Sequence, residues 1–117
     1  MHSLMFQLKK LIALLLFFHF SVIFSQNTGV LNDNDLLLEL KQQFKKSELL
    51  TKRGDYYNAI ESLNAALTIS QNINDLKSQG VIYTKIGKVQ YLVNEPNEAI
   101  SSLNKAITLQ QLSLIHI

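Results

Sequence analysis

The stretch Gly54-Asp-Tyr-Tyr-Asn-Ala-Ile-Glu-Ser-Leu-Asn-Ala-Ala-Leu-Thr-Ile-Ser70 returns forty residues later as Asn94-Glu-Pro-Asn-Glu-Ala-Ile-Ser-Ser-Leu-Asn-Lys-Ala-Ile-Thr-Leu-Gln110. Seven of the seventeen positions are identical: Ala59/Ala99, Ile60/Ile100, Ser62/Ser102, Leu63/Leu103, Asn64/Asn104, Ala66/Ala106 and Thr68/Thr108. A fixed period in this range signals stacked units, none of which can bury its apolar face alone. Such arrays build surfaces for partners more often than they build active sites.

Working outward, each copy has helical spacing. Tyr56, Ala59, Ile60, Leu63, Ala66 and Leu67 fall at i, i+3, i+4, i+7, i+10 and i+11, which gathers them on one stripe. Ala99, Ile100, Leu103, Ala106 and Ile107 repeat that stripe. Before the first copy, residues 36–40, Phe44, Leu49 and Leu50 form another helical pattern, with Asp33 or Asp35 as its N-cap. It should stop near Arg53, because Gly54 supplies the left-handed residue that helix ends favour. Asp55 then caps the following helix. A polar break over 71–75 leads to a third helix capped by Asp75, with Val81, Ile82, Ile86, Val89 and Leu92 on its buried face. Asn94 is expected to cap the fourth helix, and Pro96 suits its first turn, where no N–H is needed. The expectation is helix–turn–helix twice, with short links that make neighbours antiparallel.

Ala59 and Ala66, like Ala99 and Ala106, are seven residues apart, and Gly87 sits inside the third helix. A helical glycine costs about 1 kcal/mol relative to alanine. Close approach of the neighbouring helix would offset that cost.

At these residues the chain resembles the tetratricopeptide-repeat (TPR) family. With a second repeat counted from Gly80, Tyr83, Ile86-Gly87, Ala99, Leu103 and Ala106 fall on its signature positions. With a first counted from Leu40, so do Ser47, Gly54-Asp55-Tyr56, Ala59, Leu63 and Ala66. The departures are Gln43 and Lys46 in the first repeat, Asn94-Glu95-Pro96 at the second turn, and no closing proline in either. The forty-residue period also exceeds the family's usual 34. It resembles a long-period variant seen in exported Bacteroidetes proteins, with six extra residues expected around 72–77 in the inter-repeat turn and the helix that follows. The resemblance spans 36–111, as repeats of about 40–73 and 80–111. It implies an all-α superhelix of antiparallel helix pairs. It also implies a concave, partner-binding groove lined by Lys41, Phe44, Glu48 and Thr51, then by Val81, Thr84, Lys88 and Tyr91. The lysine and asparagine clamp of the subclass that grips chaperone tails is missing, since its positions hold Phe44/Glu48 and Thr84/Lys88. For Phe44 and Tyr91, core packing is the favoured reading.

Residues 1–25 look like an address. Lys9 and Lys10 precede an apolar run over 11–24, interrupted by His19, and Ser25 is followed by polar residues. A positive start, an apolar core and a small residue at the cut describe a secretory signal peptide, cleaved after Ser25. A membrane anchor fits less well, because spanning takes about 20 apolar residues. Export to the periplasm or cell envelope is therefore expected, with residues 26–35 as a linker.

The formal charge of +2 comes from Lys9 and Lys10. Downstream, nine Lys/Arg balance nine Asp/Glu, so composition gives no reason to expect nucleic-acid binding. Lys45, Lys46, Lys52 and Arg53 are read as a solvated helix face. The three histidines, His2, His19 and His116, lie outside the repeats, and there is no cysteine. Asp33 and Asp35 lack the rest of a calcium loop. No catalytic, metal-binding or cofactor-binding residue is expected, and the segment is read as non-enzymatic.

Residues 112–117, Leu-Ser-Leu-Ile-His-Ile, depart from the repeat stripe. They resemble the in-frame translation of a sequencing adapter and are expected to be a non-native tail, which would make the chain an N-terminal fragment. The leading functional expectation is an exported scaffold that binds a protein or peptide. The alternative is the sensory N-terminal region of an envelope signalling protein, a histidine kinase or transcriptional regulator, with its membrane and output domains beyond Gln111. A solute-binding or carbohydrate-uptake accessory is disfavoured for want of an aromatic platform. Membrane contact is expected only through the leader or through segments after Gln111, and the coding sequence there separates these alternatives.

Overall fold

Three of the four helices of the repeats end in the same way. In a computed structural model that describes residues 2–27 and 31–115 (side chains of 3–15 and 31–115), the described chain forms five helices. They are α1 (His2–Asn27), α2 (Asp33–Lys52), α3 (Tyr56–Asn72), α4 (Leu76–Leu92) and α5 (Pro96–Ile115). Contacts divide the chain into two units, residues 1–31 and 32–117.

Three turns join α2 through α5, and they repeat every twenty residues. Gly54, Asn74 and Asn94 all have positive φ, at 79°, 54° and 64°. In each turn, the residue after the left-handed one donates its N–H five residues back: Asp55 to Leu50, Asp75 to Ser70 and Glu95 to Gln90, each at 2.9 Å. The left-handed residue itself donates three back, to Thr51, Gln71 and Tyr91. This is the Schellman closure, which satisfies the carbonyls at a helix end. Glycine and asparagine are the residues that tolerate the conformation best.

This regularity corrects several expectations. The inter-repeat turn over 73–75 is no longer than the turns within the repeats, so the extra residues of the long period lie in the helices. The polar break over 71–75 narrows accordingly, since α3 continues to Asn72. Asn94 is the left-handed residue that ends α4 and does not cap α5; the Glu95 carbonyl instead accepts the Ala99 N–H. Neither Asp33 nor Asp35 caps α2. Asn32 does, its side chain accepting the Asp35 N–H at 2.9 Å, because the helix begins one turn earlier than its apolar pattern. Asp75 caps α4 as expected, through the Ser78 N–H. Asp55 holds the corresponding position before α3 but makes no side-chain cap bond, and its carboxylate accepts from the Asn58 amide instead.

The core lies where α2, α3 and α4 meet. Leu40, Leu63, Ala66, Ile69, Ile82, Ile86 and Val89 are buried together, with Leu36, Phe44, Tyr56, Ile60 and Leu67 packed around them. Full burial of such a large aliphatic side chain contributes about 1.5–3 kcal/mol. Small residues set the closest approaches. A Cβ built on Gly87 would lie 2.9 Å from Leu103 Cγ and 3.2 Å from the Ala99 carbonyl. On Gly80 it would lie 3.3 Å from Gln110 Cγ and 3.5 Å from the Ala106 carbonyl. The two alanines of α5 thus face the two glycines of α4, one pair per two helical turns.

The outer face of α5 departs from expectation. Its alanines are buried, but Ile100, Leu103 and Ile107 are 58 %, 38 % and 54 % exposed. Their counterparts Ile60, Leu63 and Leu67 pack into the core next to α4. Val81 and Leu92, expected inside, are also exposed, while Gln79 and Gly80 take buried places on α4. Gln79 is satisfied there by donating to the Ser70 carbonyl.

Helices take up parts of the other expected segments. α1 reaches Asn27 and α2 starts at Asp33, so the residues read as a linker are helical at both ends. α5 continues through residues 112–115. Residues 28–30 of that linker and residues 116–117 of the expected tail lie outside the described residues, as do the side chains around the expected cleavage point at Ser25. No described helix is long and apolar enough to cross a membrane.

A candidate partner-binding groove between α2 and α4

The groove starts from two parallel patterns. α2 and α4 are the first helices of the two repeats, and α3 packs against both. Side chains of α2 and α4 meet around one trough over α3. It holds a cavity of about 420 Å³, lined by Ser47, Glu48, Thr51 and Lys52 of α2, Leu63 of α3, and Lys85, Lys88 and Val89 of α4. Leu63 and Val89 make its apolar floor, and both are buried.

Three of the eight expected groove residues, Glu48, Thr51 and Lys88, line this cavity. Thr51 turns its hydroxyl into the helix, donating to the Ser47 carbonyl at 2.8 Å. Thr84 does the same, donating to the Gly80 carbonyl at 3.0 Å. Lys41 and Val81 are exposed and lie outside the cavity. Phe44 packs against the core, as its aromatic character suggested. Tyr91 does not: it is 73 % exposed and borders a separate apolar hollow with Leu92, Pro96, Ile100 and Leu103.

Two lysines that the sequence pattern did not single out for the groove complete it. Lys85 Nζ reaches across from α4 to Glu48 Oε1 at 3.1 Å, the one salt bridge among the described residues. The same ammonium lies 5.8 Å from the centre of the Phe44 ring, an attraction between cation and ring face. Lys52, read from sequence as part of a solvated face, borders the cavity on the α2 side. Helical arithmetic could have found both: Lys52 follows Glu48 by four residues and Lys85 precedes Lys88 by three, spacings that share a helix face.

The arrangement is one of contact surfaces and charges. It offers an apolar floor, an ion pair across the rim and further ammonium groups, which together suit non-covalent recognition. Among the described residues no three His, Asp or Glu side chains gather as metal ligands would.

A tetratricopeptide-repeat family model matches residues 44–111, more than half of the chain. No curated protein matches the chain, and neither does any solved structure.

Proposed function

Because the chain belongs to the tetratricopeptide-repeat family, we propose that it is an exported interaction scaffold that holds a protein or peptide segment in the groove between α2 and α4. The observation that carries the proposal is the cavity over Leu63 and Val89, rimmed by polar side chains from two successive repeats. Such a trough fits an extended segment, whose apolar side chains reach the floor while its polar groups meet the rim.

Peptide-library selection on the full chain tests the groove. Enriched peptides should bind the native protein and lose binding to Thr51→Arg, which fills the cavity from its rim. Enrichment of nothing, or equal binding by the filled variant, would sink the proposal.

Export rests on the charged start, apolar run and small residue of the leader. Fusing residues 1–27 to a phosphatase that is active only outside the cytoplasm should give activity and a new N-terminus at Gln26. An inactive fusion, or one that retains Met1, would remove the export half of the proposal and leave the groove untouched.

A further inference from the structure

The charge of the repeats is sorted in space even though its sum is zero. Of the nine acidic residues downstream of the leader, Asp33, Asp35, Asp55, Asp75, Glu95 and Glu98 sit in the first turns of helices or in the links before them. Glu61 borders a different cavity, with Gln43 and Lys46, and Glu39 shares the helix stripe of those two residues. Glu48 is left as the sole carboxylate of the groove cavity, against Lys52, Lys85 and Lys88. The salt bridge to Lys85 uses one of these ammonium groups. Lys52 and Lys88 have no ion-pair partner among the described residues.

The Glu48–Lys85 pair is also easy to exchange. Its side chains are 58 % and 32 % exposed, and exposed pairs of this kind contribute little to stability. An incoming carboxylate could therefore replace Glu48 on Lys85 at little cost. Lys85 would remain oriented by the Phe44 ring, and Lys52 and Lys88 would add attraction that the free protein leaves unused.

Resting on the groove reading above, we propose that its ligand is an acidic extended peptide segment with aliphatic side chains, one of whose carboxylates takes the place of Glu48 on Lys85. The aliphatic side chains settle on Leu63 and Val89, while the remaining carboxylates meet Lys88 and Lys52. Of these lysines only Lys88 stands at a position of the chaperone-tail clamp, whose lysine-and-asparagine pattern the chain lacks, so the recognition is of acidic side chains along a segment. A single-stranded nucleic acid fits less well, because base recognition needs open aromatic faces. Here Phe44 is packed beneath Lys85, and Tyr91 lies outside the cavity.

Fluorescence anisotropy on the full chain tests the proposal. The probes are a labelled peptide of about ten residues alternating Glu and Leu, which at ~3.3 Å per residue is long enough to cross the cavity, its Gln/Leu counterpart, and a short single-stranded DNA. The acidic peptide should bind about tenfold more tightly than the Gln version at low ionic strength, and the advantage should fade as salt rises. Lys88→Gln should weaken it about threefold, whereas Glu48→Gln, which vacates Lys85, should tighten it about threefold. Circular dichroism establishes that both variants keep their helices. Equal binding of the two peptides, weaker binding by Glu48→Gln, or a preference for DNA overturns the acidic-ligand proposal and leaves the groove standing. If the library selection also yields no peptide, the groove reading falls and takes this one with it.

Discussion

Gly87 of α4 and Leu103 of α5 touch so closely that a methyl group on Gly87 would lie 2.9 Å from Leu103 Cγ. The Ala99 carbonyl closes the same space at 3.2 Å, so the contact cannot be relieved by moving one side-chain tip. Gly87→Ala gains about 1 kcal/mol of helix propensity but overpacks the α4–α5 contact by about 1–3 kcal/mol. A net loss of about 1 kcal/mol in urea unfolding is expected. Leu103→Ala in the same chain should recover part of it, and a more stable Gly87→Ala would show that the helices can part without cost.

Leu63 and Leu103 are one position in two repeats, yet Leu63 is 1 % exposed and Leu103 is 38 % exposed. Leu63→Ala should cost about 2–5 kcal/mol, the range for a buried leucine that leaves a cavity. Leu103→Ala should cost well under half of that. Equal losses in thermal or urea melts would mean that the outer face of α5 is covered.

The turns at Gly54 and Asn94 predict opposite effects for adding and for removing a Cβ. Gly54→Ala forces a Cβ into the left-handed region and should cost about 1 kcal/mol. Asn94→Gly removes such a strain at φ 64° and should be neutral or slightly stabilising, by a few tenths of a kcal/mol after backbone entropy is counted. Melting midpoints that fall equally for both variants would contradict the Schellman assignment.

Ile100, Leu103 and Ile107 form an apolar face that nothing covers among the described residues. The segment 26–111 on its own is therefore expected to be marginally folded or to self-associate. A helical domain that stays monomeric and melts cooperatively, by circular dichroism and sedimentation, would count against this expectation.

The sequence by itself determined whatever depends on neighbours along the chain. The forty-residue echo, the apolar stripes, Gly54 as a helix end and Gly87 as a point of close approach were all legible, because helix geometry turns spacing into facing. So was the family, through residues such as Gly54-Asp55-Tyr56 and Ala99. Which apolar side chains are covered was decided in three dimensions. Ile60 and Ile100 share the local pattern Ala-Ile-x-Ser-Leu-Asn, but only Ile60 packs against the core formed with α4, and burial belongs to the pair rather than to the residue. The same holds for charge. Glu48 and Lys85 are thirty-seven residues apart, and a balanced composition concealed that folding leaves three lysines and one carboxylate around a single cavity. Asn94 shows the limit within a turn: its composition suits either a helix start or a left-handed helix end. The N–H groups of Asn94 and Glu95, bonded back to Tyr91 and Gln90 of α4, select the end.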